Sequence, residues 1–147
     1  MTAAFFEWDD SYSVNVKEID EQHRVLIQLI NELHEATSES HTRNTIASTV
    51  NELRTMGAVL DDLVDYAAYH FSTEEKCMLD CGYPSCAQHE KAHRDFTDKI
   101  KTFKHELDEG EALSATEILT FLRDWWTQHI LKVDKEYSPC LNEKGIT

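Results

Sequence analysis

The chain has 147 residues, enough for one domain with a buried core. Its formal net charge of -14, from 28 acidic and 14 basic residues, disfavours nucleic acid and anionic membranes as partners. No apolar run reaches the roughly 18 residues that a transmembrane helix needs, and the N-terminus lacks the cationic start of a secretory signal. The four cysteines are too few and too clustered to frame a secreted domain, so we expect a cytoplasmic protein.

Only 4 Gly and 2 Pro interrupt the chain, which favours long helices over a many-stranded sheet. After an N-terminal arm, residues 1–18, we predict a first helix with its N-cap at Asp20. This helix carries an apolar stripe at three- and four-residue spacing that ends in the polar stretch 37–42. The stripe consists of Leu26, Leu29, Ile30 and Leu33.

A longer apolar stripe predicts a second helix that ends at Gly82 and Pro84. Counted back from His70 by the depth of the other helices, the bundle part of this helix begins near Thr55, so we expect residues 39–54 to be an insertion between the first two bundle helices. Because the stripe stays in phase across Gly57, the second helix either extends beyond the bundle or breaks near that glycine. The insertion is either a tolerated expansion or a docking surface, through residues 39–57, for a partner or a second copy. The stripe consists of Ile46, Val50, Leu53, Leu60, Leu63, Val64, Ala67, Phe71 and Met78.

Two further helices each follow a predicted capping box, Ser85 with Gln88 and Ser114 with Glu117. The third helix is expected to end around residues 108–110 and the fourth at Pro139. Because the connections are short, neighbouring helices should be antiparallel. We therefore predict an all-α, up-down-up-down four-helix bundle as a single domain, residues 1–147. The two stripes consist of Ala92, Phe96, Ile100, Phe103 and Leu107, and of Ile118, Leu122, Trp125, Trp126 and Val133.

Seven nitrogen and oxygen donors fall at one end and one depth of this predicted bundle. Those on the second and third helices are spaced by four residues, which puts each pair on one helix face. His129 and Asp134 are five residues apart, so either the carboxylate reaches around the helix or the helix loosens there. Surface or satisfied core histidines would not be expected to coincide in this way. The seven donors are His23, His70, Glu74, His89, His93, His129 and Asp134.

This donor set favours iron over the alternatives. Five imidazoles and two carboxylates without a thiolate exceed one tetrahedral zinc and suit two six-coordinate iron ions. Ferritin-like di-iron bundles need two Glu-x-x-His motifs, whereas this chain has one, at Glu90 and His93. Residues 89–93 also match a zinc-protease motif, but the sequence predicts no strand to bind a peptide, and Glu90 should point away from its flanking histidines.

In these residues the chain resembles the hemerythrin family. The resemblance is carried by Trp8, by segments 20–23 and 70–75, by His89 with His93, and by segment 125–134. The tail, residues 137–141, is similar to the bacterial branch, the bacteriohemerythrins. The resemblance implies reversible dioxygen binding at two non-haem iron ions per chain, in an oxygen carrier or buffer and not an enzyme. The alternative function is an oxygen- or redox-sensing input domain of a signalling protein whose output region is absent from this chain.

The resemblance also assigns roles to residues. One iron would be bound by His89, His93 and His129, and the other by His23 and His70. Glu74 and Asp134, with a hydroxide or oxide, would bridge the two ions. A dry oxygen pocket would be formed by Leu26, Phe96, Trp125 and Ile130, which are otherwise plain core residues. Tyr137 would orient groups around the site or cap a helix end.

Free thiols, or a redox-sensitive pair beside the site, are expected at Cys77, Cys81 and Cys86.

Overall fold

The structure, a computed structural model, describes residues 4–40, 46–109 and 115–147, without the side chains of residues 38–40, 46–53, 55 and 115. These residues form an all-helical bundle, and no strand occurs among them, as the sequence predicts. No helix in the described part of the chain is long and apolar enough to cross a membrane. The four bundle helices are α1 (Lys17–Ser40), α2 (Ile46–Cys81), α3 (Cys86–Asp108) and α4 (Ala115–Gln128). After α4 follow a π-helical segment (His129–Asp134) and α5 (Lys135–Glu143).

The bundle helices pack around a long core, with α1 against α2 and α4, and α2 against α3. A second, smaller core cluster lies where α5 and the N-terminal arm meet the end of α2. The predicted stripes supply this core, because their positions recur on one face of each helix. The side chains of Ile46, Val50 and Leu53 lie outside the described residues, so their part of the prediction stays open. The fully buried stripe residues include Leu26, Ile30, Leu33, Leu60, Leu63, Phe96, Ile100, Ile118, Leu122 and Trp126.

Helix α2 is continuous through Gly57 and has 36 residues, against 24 in α1 and 23 in α3. At 1.5 Å per residue it is about 54 Å long, so the first of the two predicted forms, an extended helix, is the correct one. The helix ends at Gly82 as predicted. Gly82 adopts a φ of 74°, and the next amide, of Tyr83, donates to the Met78 carbonyl at 2.9 Å.

One predicted helix start is wrong, and one predicted capping bond is absent. Helix α1 begins at Lys17, so Asp20 lies in its first turn and is not the N-cap. The Asp20 carboxylate instead accepts hydrogen bonds from the Val14 amide at 2.9 Å and the Ser13 hydroxyl at 2.6 Å, which fastens the arm to α1. Ser85 is the N-cap of α3, as predicted, but its side chain makes no capping bond, because its ψ of 20° is not the extended conformation that such a bond needs. Ser114 lies outside the described residues.

The predicted stop at Pro139 is also wrong, since α5 continues through it to Glu143. Pro139 lies in the second turn of α5, shortly after the π-helical segment. Between the π-helical segment and α5 the backbone hydrogen bonds change from an i to i+5 to an i to i+4 pattern. A carbonyl at such a change already lacks its ordinary amide partner, so a proline, which has no amide N–H, disturbs the helix less there.

The prediction of free thiols is wrong for Cys81 and correct for Cys77 and Cys86. Cys81 at the end of α2 and Cys140 in α5 form a disulfide, with Cα atoms 5.8 Å apart. The partners are 59 residues apart in sequence, and only the return of α5 along α2 brings them together. Cys77 and Cys86 remain free thiols. Burial, followed by nearby acidic groups, raises the pKa of both, which makes them poor nucleophiles.

The continuity of α2 predicts the effect of changing its internal glycine. A Cβ atom at position 57 would meet no atom within 4 Å, so Gly57→Ala should raise the free energy of unfolding. We expect a gain of about 0.5–1 kcal/mol, because alanine restricts the unfolded chain and favours the helix. The control is Gly82→Ala, which should destabilise the protein because its φ of 74° strains alanine. Urea denaturation at matched metal content measures both, and a loss of stability in Gly57→Ala would contradict an unbroken helix.

Candidate metal centre

The structure brings all seven predicted donors together at one end of the bundle. Their exposed fractions lie between 0% and 4%. They form two overlapping groups, in each of which the ligand atoms lie within 4.8 Å of one another. One group is His23, His70, Glu74 and Asp134, and the other is Glu74, His89, His93, His129 and Asp134.

The two carboxylates divide the imidazoles into two sets. Glu74 Oε1 lies 3.1 Å from His70 Nε2 and 3.5 Å from His23 Nε2, whereas Oε2 lies 3.1 Å from His93 Nε2. Asp134 follows the same division: Oδ2 lies 3.1 Å from His23 Nε2, and Oδ1 lies 2.9 Å from His89 Nε2. Each carboxylate therefore offers one oxygen to each set, which is the arrangement of a ligand that bridges two metal ions.

The donor atoms are suited to metal ions because the protein leaves their polar groups unsatisfied. Among the described residues, eight buried polar atoms of this cluster make no hydrogen bond, although each carboxylate lies close to several imidazoles. A buried polar atom without a partner is costly, so such a group indicates a partner outside the protein. The eight atoms are His23 Nδ1 and Nε2, His70 Nε2, Glu74 Oε2, His89 Nδ1 and Nε2, and Asp134 Oδ1 and Oδ2.

The π-helical segment explains the spacing of five between the last two donors. In an α-helix, residues five apart lie some 140° apart around the axis. The segment His129–Asp134 instead has the i to i+5 register, which places its first and last residues on one face. His129 Nε2 consequently lies 3.0 Å from Asp134 Oδ1. Of the two possibilities raised by the sequence, the loosened helix is the correct one.

The electrostatics of the metal-free cluster follow from its burial. Burial opposes protonation of His23 and His89, but the two adjacent carboxylates outweigh it and raise the pKa of each imidazole to about 9. Burial lowers the pKa of His70. The surrounding imidazoles hold the carboxyl pKa of both Glu74 and Asp134 below the usual range, against the effect of burial. Two imidazolium groups thus balance two carboxylates, and metal ions must displace those protons.

Hydrogen bonds from neighbouring residues fix the orientation of several donors. Gln22 Oε1 lies 2.7 Å from His70 Nδ1, and Glu75 Oε1 lies 3.3 Å from His93 Nδ1. Both oxygens accept from Nδ1–H, which leaves Nε2 of each imidazole free to bind a metal. Our sequence reasoning missed both residues. Each directly adjoins a predicted ligand in the chain, and this adjacency was the available signal.

Tyr137 is fully buried and lies against Glu74. Its hydroxyl donates to Glu74 Oε1 at 2.9 Å, and its ring lies parallel to that of His89, with centroids 5.6 Å apart. Burial and the two nearby carboxylates raise the pKa of Tyr137 well above its ordinary value. The hydroxyl therefore keeps its proton and holds the Glu74 oxygen in place.

Aromatic rings pack against the imidazoles and the predicted pocket. Phe71 stacks on His93 with centroids 3.8 Å apart, and Trp125 stacks on His129 at 4.3 Å. Trp125 is half-buried and lines a cavity of about 530 Å³ between α3 and the end of α4. The other three predicted pocket residues, Leu26, Phe96 and Ile130, are buried in the core cluster that also contains Phe71.

The protease alternative is not supported by the position of Glu90. The Cys86 thiol lies 3.7 Å from Glu90 Oε1, and Glu90 belongs to neither donor group among the described residues. A zinc protease would need this carboxylate at the metal and a strand beside it. In the part of the chain that the structure describes, Glu90 does not lie at the donor groups and no strand is present.

The fold and the paired donor groups define a four-helix-bundle protein with a buried dinuclear metal site. The family model described as the hemerythrin HHE cation binding domain matches residues 14–141. The chain belongs to the hemerythrin family.

Proteins similar to this chain include bacteriohemerythrins and a myohemerythrin. The bacteriohemerythrin of Stenotrophomonas maltophilia is 33% identical over 92% of this chain and 80% of its own length. That of Methylococcus capsulatus is 34% identical over 89% of this chain and 92% of its own. The myohemerythrin of Riftia pachyptila is 27% identical over 90% of each chain. A crystal structure of wild-type hemerythrin superposes with a TM-score of 0.80 at 32% identity, over 94% of this chain and 98% of that one.

The hydrogen bond from Tyr137 to Glu74 predicts weaker metal retention when it is removed. We expect Tyr137→Phe to lose iron to a ferrous chelator about tenfold faster or more, the scale usual for outer contacts of a metal ligand. The control is Tyr83→Phe, because the Tyr83 hydroxyl donates to another glutamate, Glu136, at 3.4 Å on the surface. Equal rates of iron loss in the two variants would contradict this role of Tyr137.

Proposed function

We propose that this chain binds dioxygen reversibly at a pair of non-haem iron ions and serves as an oxygen carrier or buffer. The observation that carries the proposal is the division of the carboxylate oxygens, one facing each set of imidazoles, at Glu74 and Asp134. Membership of the hemerythrin family supports iron as the metal. Five imidazoles in the donor set suit iron better than magnesium or calcium, which prefer oxygen ligands.

The two sets of donors give the two metal positions different numbers of ligands. His89, His93 and His129 would hold one iron, and His23 and His70 the other, while both carboxylates bridge them. The first position receives three imidazoles and two carboxylate oxygens, and the second receives two of each. A hydroxide or oxide bridge would complete six ligands at the first position and five at the second. The open position would therefore belong to the iron held by His23 and His70.

When bound, the iron pair supplies two electrons to dioxygen and recovers them on release. The protein's part is to hold the donors and to keep water away from the open position. Leu26 lies one turn after His23, and Ile130 directly follows His129; both are buried in the core. Since water would promote loss of reduced oxygen and leave the irons oxidised, an apolar pocket favours reversible binding.

A binding protein, and not an enzyme, is the form of this proposal that best fits the site. The four predicted pocket residues are apolar or aromatic, and Leu26, Phe96 and Ile130 are buried in the core, which suits holding a small ligand. The sensing alternative receives no support from the described residues or from the similar proteins. Dioxygen is thus the proposed ligand.

Other predicted partners and the location stay predictions. The charge of -14 supports the absence of nucleic-acid and membrane partners. Docking through residues 39–57 depends mostly on side chains outside the described residues. A cytoplasmic location meets one opposing observation, because a disulfide such as Cys81–Cys140 rarely persists in a reducing cytosol.

The proposed function predicts a metal content and a reversible spectrum. Purified protein should contain close to two irons per chain, turn coloured in air from a nearly colourless ferrous form, and bleach when oxygen is removed. Glu74→Ala or Asp134→Ala should sharply lower iron content, because each carboxylate serves both metals. Elemental analysis and anaerobic absorption spectroscopy measure these outcomes. One zinc per chain, with no iron after anaerobic reconstitution, would reject the di-iron proposal; irreversible oxidation on first exposure would reject the carrier.

The dry pocket predicts how fast the oxygenated protein is lost. We expect Leu26→Ser to retain its iron but to convert from the oxygenated to the oxidised form roughly tenfold faster, since about 1.4 kcal/mol gives that change in rate. Ile130→Ala should act in the same direction. The decay of the oxygenated spectrum at matched iron content is the measurement.

The matched control for the pocket variants is Leu33→Ser. Leu33 is a buried leucine on the same helix as Leu26, seven residues or about 10 Å further from the site. Its substitution introduces the same hydroxyl and a similar cavity in the core. Equal decay in Leu26→Ser and Leu33→Ser would show that Leu26 acts only through packing, and the water-exclusion part of the mechanism would then be wrong.

A further inference from the structure

Trp126 is fully buried, and its indole lies beside His23 and His70, the donor set with fewer imidazoles. Its exposed fraction is 0%, and its ring centroid lies 5.8 Å from that of His70 and 6.4 Å from that of His23. Phe71 and Phe96 pack on the same ring at 5.7 and 5.3 Å. The indole is therefore part of the wall between the apolar core and the metal position with the open site.

The indole N–H of Trp126 has no hydrogen-bond partner among the described residues. Indole is only a donor, and a buried tryptophan usually finds an acceptor for this group. Leaving it unpaired in an apolar core is costly, and filling the same volume with phenylalanine or leucine would avoid the cost. A buried donor beside an open metal position indicates an acceptor that arrives with the ligand.

We propose that the indole N–H of Trp126 donates a hydrogen bond to the small ligand that occupies the open position beside His23 and His70. This inference rests on the proposed function, which assigns the open position to that iron. A donor in this place stabilises ligands that carry negative charge when bound, because hydrogen bonds to charged acceptors are the stronger ones. Trp126 is thus a specificity-determining residue that favours anionic ligands and reduced oxygen over neutral ligands.

Azide is the probe for this hydrogen bond, since it is a small anion that binds ferric iron. We expect Trp126→Phe to raise the azide dissociation constant of the diferric protein about tenfold, the scale of one hydrogen bond to a charged ligand. Trp8→Phe is the matched control, with an expected change below about twofold on the same scale. The Trp8 indole N–H is also buried and without a partner in the described part of the chain, but its ring packs under Arg24, 4.6 Å away.

The infrared stretch of bound azide separates a hydrogen bond from a packing effect. When the protein is reconstituted in D2O, so that the buried indole is deuterated, the stretch should shift in wild type and in Trp8→Phe. It should not shift in Trp126→Phe, even if that variant also packs less well. The wild-type measurement needs no variant: an azide stretch that is the same in H2O and D2O overturns the role of Trp126 even if Trp126→Phe fails to fold.

The outcomes distinguish this inference from the proposed function. Wild-type protein that holds no iron pair would overturn the proposed function itself. Iron-loaded wild type whose azide stretch is the same in H2O and D2O would overturn the role of Trp126 alone. Unchanged azide affinity in an iron-loaded Trp126→Phe variant would do the same. A loss of affinity together with loss of the isotope shift confirms the hydrogen bond.

Discussion

The burial of two carboxylates side by side is the constraint on which the rest of the structure depends. Glu74 and Asp134 are both fully buried, and neither could stay charged there without cations around it. Five imidazoles from four elements supply that surrounding. Without metal, protons on His23 and His89 balance the charge, and with metal the ions take their place. The same atoms therefore stabilise the bundle and form the site, so the four helices must meet at one level for either purpose.

At the end of α4, a local change from α-helix to π-helix brings Asp134 to the other donors. A regular α-helix would turn Asp134 away from His129, and one carboxylate would then serve the two donor sets alone. The π-helical segment restores the contact, and α5 follows it directly and packs against α2. From there α5 places Tyr137 on the Glu74 oxygen. One local change in register thus provides a bridging ligand and the residue that orients the other.

Features that repeat along a helix could be predicted from the sequence, whereas features that depend on a single tertiary contact could not. Apolar stripes and the depth of the donors predicted the bundle and the convergence of the seven side chains, because helical rise and rotation are nearly constant. A spacing of five between His129 and Asp134 left two geometries open, and only the fold selects one. Asp20 looked like an N-cap because capping residues and anchoring carboxylates are the same residue types. The Cys81–Cys140 pair depends on where α5 returns, which no local pattern encodes.

The second core cluster shows how the relative position of the two carboxylates is held. Cys81 follows Glu74 by seven residues and Cys140 follows Asp134 by six, so the disulfide joins their helices about two turns beyond the site. Val14, Met78 and Leu141 pack around the same junction, together with Tyr137. Ser138 donates to the Val14 carbonyl at 2.6 Å, which ties the N-terminal arm into it. Since apolar packing, a hydrogen bond and a disulfide all act on the same two helix ends, the spacing of the bridging oxygens does not depend on the disulfide alone.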